Sequence, residues 1–171
     1  MKYFVFRNHT LENLFGTTGI GYSGYDDISY VAPDADCYIW FYQVPVKFDR
    51  GALSEEVNGY FSKLRMVYDQ LSSHKQLIVF SLEDLYDLNF YSTDYDLKNA
   101  IIRFNTDVRE FANEHHNVKY LDFSEFLSSY PKEQWIDWKY YFISLAIINP
   151  RLAGTFRGSF GFNPLAVSQA S

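Results

Sequence analysis

The fold is decided by residues 37–45, which have the sequence CYIWFYQVP. The six residues from Cys37 to Tyr42 are all apolar, and Pro45 ends the run. An unbroken apolar run of this length predicts a strand that is buried on both faces of its sheet. Comparable segments at residues 3–6, 76–81 and 118–123 predict three more strands.

Amphipathic helices are predicted between these strands. From about Ser54, apolar residues recur at three- and four-residue spacing, as on one face of a helix. Further helices are predicted at residues 96–115 and 136–148, and Pro150 ends the last one. The alternation predicts an α/β fold, a three-layer α/β/α sandwich around a parallel sheet of four or five strands.

The chain has 171 residues, a length that suits one domain with a sizeable core. We assign that domain to residues 1–153. Residues 16–25 contain four glycines, which predicts a loop. Residues 154–171 have no helical or strand period, which predicts an irregular tail.

Composition argues against several classes of protein. The net charge is −6 without any basic stripe, so we expect no nucleic-acid partner. No apolar stretch approaches the roughly 18 residues that span a membrane. A single cysteine, Cys37, cannot form an internal disulfide and indicates a reducing, cytoplasmic location. Aromatic residues reach 20% of the chain, which favours aromatic packing or adhesive interfaces.

Cofactor and metal motifs are not evident. No glycine-rich phosphate-binding motif follows a predicted strand. His115 and His116 lie at the end of a predicted helix, without further ligands at fitting spacing. The sequence therefore predicts neither a cofactor nor a metal site.

Candidate functional residues lie where the predicted strands end, because ligands of parallel sheets bind at the carboxyl ends of the strands. Residues 7–10, with the sequence RNHT, follow the first strand. Gln43 follows the strand of residues 37–42. A second candidate segment, WIDWKYYF at residues 135–142, begins the last predicted helix.

The order and spacing of several segments resemble a known family. They are FRNHTLENLF, YSGYDDIS, ADCYIWFYQVP, NTDVREFANEHHNVKYLDFSEF and IDWKYYFISLAIINP. Together they resemble the flavodoxin-like SGNH (GDSL-type) hydrolase fold, and more narrowly the amino-terminal SGNH-like domain of FkbH-like proteins. The resemblance covers about residues 1–156.

The resemblance implies a catalytic triad that this chain matches only in part. An active SGNH hydrolase has a serine after its first strand and an Asp-x-x-His motif before its last helix. Here Thr10 stands in the nucleophile region, Asp137 matches the aspartate, and Tyr140 replaces the histidine. A phenol with a reference pKa of about 10 is a poor general base at neutral pH.

The same resemblance implies other roles near this site. Gln43 would supply an amide donor to an oxyanion, and Asn8 and His9 would contact a ligand. His9 adjoins Thr10, and sequence neighbours rarely point correctly for proton transfer. A structural alternative stays open, in which Thr10 and Asp137 are the N-caps of the helices that follow them.

Proteins of the FkbH-like family usually continue into a haloacid dehalogenase (HAD)-type domain. That domain is associated with transfer of a glyceryl unit to a carrier protein in bacterial polysaccharide or secondary-metabolite biosynthesis. The resemblance therefore implies a recognition or assembly module, with a HAD-type domain or an acyl carrier protein as partner. The first alternative is an active esterase or acyltransferase that uses Thr10 and Asp137. The second is a pure assembly module, for example a homodimer.

Overall fold

Within the described residues, five parallel strands form one sheet in the computed structural model. The structure describes residues 1–47, 49–85, 95–152 and 155–156. The strands are β1 (Tyr3–Arg7), β2 (Ile20–Tyr25), β3 (Cys37–Phe41), β4 (Gln76–Phe80) and β5 (Val118–Leu121), in the order β2-β1-β3-β4-β5. This is the flavodoxin-like order of doubly wound sheets. The predicted α/β fold is confirmed.

Five α-helices flank the sheet in the described part of the chain. They are α1 (Glu12–Phe15), α2 (Arg50–Tyr68), α3 (Tyr95–Glu114), α4 (Phe123–Leu127) and α5 (Trp138–Ser144), with short 3-10 turns at Lys132–Gln134 and Pro150–Leu152. The long helices α2 and α3 lie side by side. None of the helices described has both the length and the apolar character that crossing a membrane requires.

Alternate residues of β3 fill the core on opposite faces of the sheet, which explains why its whole sequence is apolar. On one face, Trp40 stacks on Tyr42 with ring centroids 4.1 Å apart, and Tyr42 meets Tyr60 of α2 at 5.1 Å. On the other face, Phe41 packs against Phe80 at 4.8 Å and Phe123 of α4 at 5.2 Å. Such aromatic pairs each contribute about 0.5–1.5 kcal/mol beyond the area they bury.

The prediction of a loop over residues 16–25 is wrong, because Ile20–Tyr25 forms the edge strand β2. It pairs in parallel with β1, where Tyr3 stands opposite Ile20. Glycine is depleted in strands, but pairing with β1 overrides this preference. A β-carbon at Gly21 would lie 3.0 Å from the ring of Phe4, so glycine leaves room for this ring against β2.

The predicted bounds of two helices need correction. Helix α2 begins at Arg50, before the predicted start at Ser54, because the carboxylate of Asp49 caps it by accepting a hydrogen bond from Ala52 N at 3.1 Å. Helix α5 covers only Trp138–Ser144 of the predicted residues 136–148. It ends at Leu145, whose φ of 55° is left-handed, and the next residue, Ala146, forms an isolated bridge with Thr10.

Part of the predicted tail belongs to the core. Phe156 is fully buried, and its ring lies 5.5 Å from Phe15 and 5.3 Å from Phe126. The rest of the predicted tail, which is residue 154 and residues 157–171, lies outside the described residues. The domain boundary at residue 153 stays a prediction.

Candidate functional site

The structure gathers the candidate residues at the carboxyl edge of the sheet. Asn8, His9 and Thr10 follow β1, and Gln43 follows β3. Helix α5 is joined to the same edge, since Val46 N donates a hydrogen bond to the Tyr141 hydroxyl at 3.2 Å. The two segments that the sequence singles out are therefore neighbours in space.

Asn8 joins the ends of β1 and β3. Its side-chain amide donates to Gln43 O at 2.7 Å and to the Tyr60 hydroxyl at 3.1 Å. Its Oδ1 accepts a hydrogen bond from Gln43 N at 3.1 Å. The Asn8 side chain thus has partners on both its amide nitrogen and its oxygen, which fits a structural role at least as well as ligand contact.

His9 is a buried, neutral histidine. Its Nδ1 lies 2.6 Å from Asn8 Oδ1, and because an amide oxygen can only accept, Nδ1 is the protonated nitrogen. Burial lowers the pKa of His9 to about 4, so the ring is uncharged at neutral pH. The ring lies 6.0 Å from that of Tyr141 on α5.

The hydroxyl of Thr10 is held between two partners. It donates a hydrogen bond to the carbonyl of Ser144, and it therefore accepts one from the Tyr25 hydroxyl at 2.6 Å. The N-cap position of α1 is Leu11, so the alternative that Thr10 caps this helix is wrong. The Thr10 proton points to a backbone carbonyl, which cannot act as a general base.

Gln43 is fully buried, and both ends of its side chain are hydrogen-bonded. Its Nε2 donates to Ser81 O at 2.8 Å, and its Oε1 accepts from Glu83 N at 2.9 Å. The amide thereby joins the end of β3 to the segment after β4. Its role as an oxyanion donor stays a prediction, and that role would fall to the second N–H of Nε2, because the first is bound to Ser81 O.

Asp137 precedes helix α5 as its N-cap, and Tyr140 lies within that helix. The carboxylate of Asp137 caps α5 by accepting from Lys139 N at 3.1 Å, as the structural alternative predicts. Tyr140 is 48% exposed. No hydrogen bond between described residues joins any two of Thr10, Asp137 and Tyr140. Their catalytic roles stay predictions.

A second polar group at this edge carries no recognisable sequence motif. The Ser81 hydroxyl donates to Glu83 Oε1 at 2.6 Å and accepts from Phe123 N at 2.8 Å. Burial raises the pKa of the Glu83 carboxyl, and the nearby charge of Asp122 adds to this effect. Only the position of these residues after β4 and β5 could have drawn attention to them.

Helix α5 exposes a largely apolar surface beside the Thr10 contact. This α5 surface consists of Trp138, Tyr140, Phe142, Ile143 and Leu145. Phe142 is 71% and Ile143 72% exposed. The rings of Trp138 and Phe142 stack with centroids 5.8 Å apart. Several exposed apolar side chains on one short segment commonly mark an interaction site.

Metal binding has no visible basis in the described residues. There, no three histidine, cysteine, aspartate or glutamate side chains lie close enough together to hold an ion.

Comparison with known proteins supports the fold and little more. No family model matches the chain, and neither does any curated protein. Among solved structures, the chain is similar to the N-terminal part of the protein BF1531 from Bacteroides fragilis, a crystal structure that contains a phosphatase domain complexed with Mg. The TM-score is 0.63 at 12% sequence identity. The match covers 90% of this chain and 48% of that one, so this chain spans about half the length of the structure it resembles.

Proposed function

We propose that this chain is an SGNH-like domain of an FkbH-like system, in which it recognises a partner domain and does not itself hydrolyse esters. The proposal rests on one observation at the carboxyl edge of the sheet. The Thr10 hydroxyl is bound to the carbonyl of Ser144, the last residue of a helix that presents an exposed apolar surface.

Acyl transfer by a hydroxyl group needs a base that takes up its proton. Both hydrogen-bond partners of the Thr10 hydroxyl, Ser144 O and the Tyr25 hydroxyl, are unsuited to that task at neutral pH. His9 lies next in sequence, but its burial disfavours the protonated form that a general base must adopt. These features support binding over turnover.

The partner we propose is a HAD-type phosphatase domain. Two observations favour it. The sequence resembles FkbH-like proteins, and the fold is similar to part of the BF1531 structure, which contains a phosphatase domain. The α5 surface is the candidate contact, because exposed aromatic side chains are enriched at protein interfaces. The system would act in glyceryl or acyl transfer to a carrier.

A binding experiment tests this proposal. The purified chain is titrated by calorimetry with any HAD-type protein that a neighbouring gene encodes, and with any acyl carrier protein of the same locus as a second ligand. We expect the variant Phe142→Ser/Ile143→Ser to weaken binding of the HAD-type protein at least tenfold, about 1.4 kcal/mol.

The matched control is Met66→Ser/Ile102→Ser, which removes two other largely exposed apolar side chains, one each from α2 and α3. Equal weakening by both variants would show that binding does not depend on the α5 surface. If the acyl carrier protein binds and the HAD-type protein does not, the carrier is the partner. Self-association of the chain in light scattering would favour the homodimer.

A further inference from the structure

A groove lies between the carboxyl-terminal halves of α2 and α3, far from Thr10. It has a volume of about 280 Å³. Both helices run antiparallel to the strands they follow, so their ends lie at the amino edge of the sheet. Consistent with this, the Tyr68 hydroxyl in the groove donates to Asn117 Oδ1 at 2.9 Å, just before β5.

The floor of the groove is aromatic. It includes Phe111 of α3, whose ring lies 5.9 Å from Phe61 and 4.9 Å from Tyr68 of α2. The imidazole of His115 lies against the same Phe111 ring at 4.1 Å. Faces of aromatic rings attract cations, and they do so more strongly in a recess where the cation loses water.

The rim of the groove is acidic. Asp69, Asp107, Glu110 and Glu114 line it, together with one guanidinium, that of Arg65. None of the ion pairs in the described part of the chain involves these carboxylates. The carboxyl-terminal ends of two helix dipoles add negative potential at the same place.

The acidic side chains of α3 would repel one another without a cation. Asp107, Glu110 and Glu114 are spaced by three and four residues, so they project from one side of the helix. Like charges at this spacing destabilise a helix. From Asp107 to Glu114 the helix rises about 10 Å, which is the distance that three residues of an extended peptide cover.

We propose that this groove binds a basic segment of a partner protein, with one lysine or arginine side chain over the aromatic floor. A second basic residue, about three positions away, pairs with the carboxylates farther along α3. The length of the acidic row favours a peptide over a small cation, because one ammonium ion reaches only part of it. The site is separate from the α5 surface and does not depend on the function proposed above.

Fluorescence anisotropy with a dye-labelled peptide that carries lysine or arginine at every third position tests this assignment. We expect Glu110→Gln/Glu114→Gln to weaken binding about tenfold, which corresponds to about 1.4 kcal/mol. The control Glu55→Gln/Glu133→Gln removes the same charge from exposed sites outside the groove and is expected to change affinity less than about twofold. Phe61→Leu, which keeps an apolar side chain but loses the ring, should weaken binding about threefold.

Three results would overturn the assignment. The first is no binding of the peptide to the unaltered chain. The second is equal weakening by the two charge variants, which would reveal only general attraction to an acidic protein. The third is full displacement of the peptide by millimolar ethylammonium chloride, which would identify a small cation as the ligand. Thermal melting of each variant verifies that it is folded.

Discussion

The Thr10 hydroxyl donates a hydrogen bond to the carbonyl of Ser144, a residue 134 positions further along the chain. Next to this contact, Thr10 N donates to Leu145 O at 3.0 Å, and Thr10 forms a parallel bridge with Ala146. The residue that the family resemblance assigns as nucleophile thus joins the end of the first strand to the segment that follows α5.

Replacing Thr10 by valine should reduce stability. We expect Thr10→Val to lower the free energy of unfolding by about 1 kcal/mol, because the Ser144 carbonyl and the Tyr25 hydroxyl each lose a partner. Urea denaturation measures this change. The control is Thr106→Val, whose hydroxyl bonds only Ile102 O of its own helix, and whose effect should stay within about 0.5 kcal/mol. Equal losses of stability in the two variants would mean that the contact of Thr10 with Ser144 does not stabilise the fold.

Ester hydrolysis should be absent. The purified chain is expected to release nitrophenol from short aryl esters no faster than an inert protein at the same concentration. The physical reason is that the Thr10 proton has a carbonyl as its acceptor and Asp137 has a backbone amide as its partner. Turnover that disappears in both Thr10→Ala and Asp137→Ala would establish the esterase alternative.

Stability should fall when the solution is acidified from neutral pH. Burial lowers the pKa of His9 in the folded chain to about 4, compared with 6.5 for a histidine exposed to water in the unfolded chain. Between these values the unfolded chain binds more protons, so the free energy of unfolding rises with pH in this window. Over the whole window, acidification should lower the free energy of unfolding by about 3 kcal/mol through His9.

The free energy of unfolding is measured by urea denaturation at several pH values between 4 and 7. A difference of one pKa unit between the folded and unfolded chain changes this free energy by about 1.4 kcal/mol. His9→Gln should flatten the dependence, whatever its effect on absolute stability. The exposed residue His74 supplies the control, since His74→Gln should preserve the slope. An unchanged slope in His9→Gln would assign the acid sensitivity to other groups.

Phe156 should contribute more to stability than an exposed phenylalanine of the same size. We expect Phe156→Ala to cost about 3–5 kcal/mol, because a fully buried ring leaves a cavity among the core phenylalanines. Phe142→Ala, at a largely exposed position, should stay within about 0.5 kcal/mol. Thermal or urea unfolding compares the two. Similar losses would mean that Phe156 does not pack in the core in solution.

Much of the fold could be predicted from local sequence. The apolar run of β3 and the three- and four-residue periodicity of α2 depend only on near neighbours, and both elements are confirmed. Asp137 as a helix cap is likewise confirmed, because a cap acts on amides within three residues. The edge strand β2 was missed, since its glycines favour a loop until β1 pairs with it.

The arrangement of the candidate site results from contacts between distant parts of the chain, and local sequence patterns do not predict such contacts. Sequence alone established an α/β domain with polar residues at its strand ends. This was possible because the spacing of apolar residues along a short segment predicts its secondary structure and which of its side chains are buried. Only the tertiary structure decided that Thr10 binds Ser144, that Gln43 binds Ser81 and that Phe156 enters the core. Each of these contacts joins segments far apart in the chain, and their partners are chosen by packing of the whole domain.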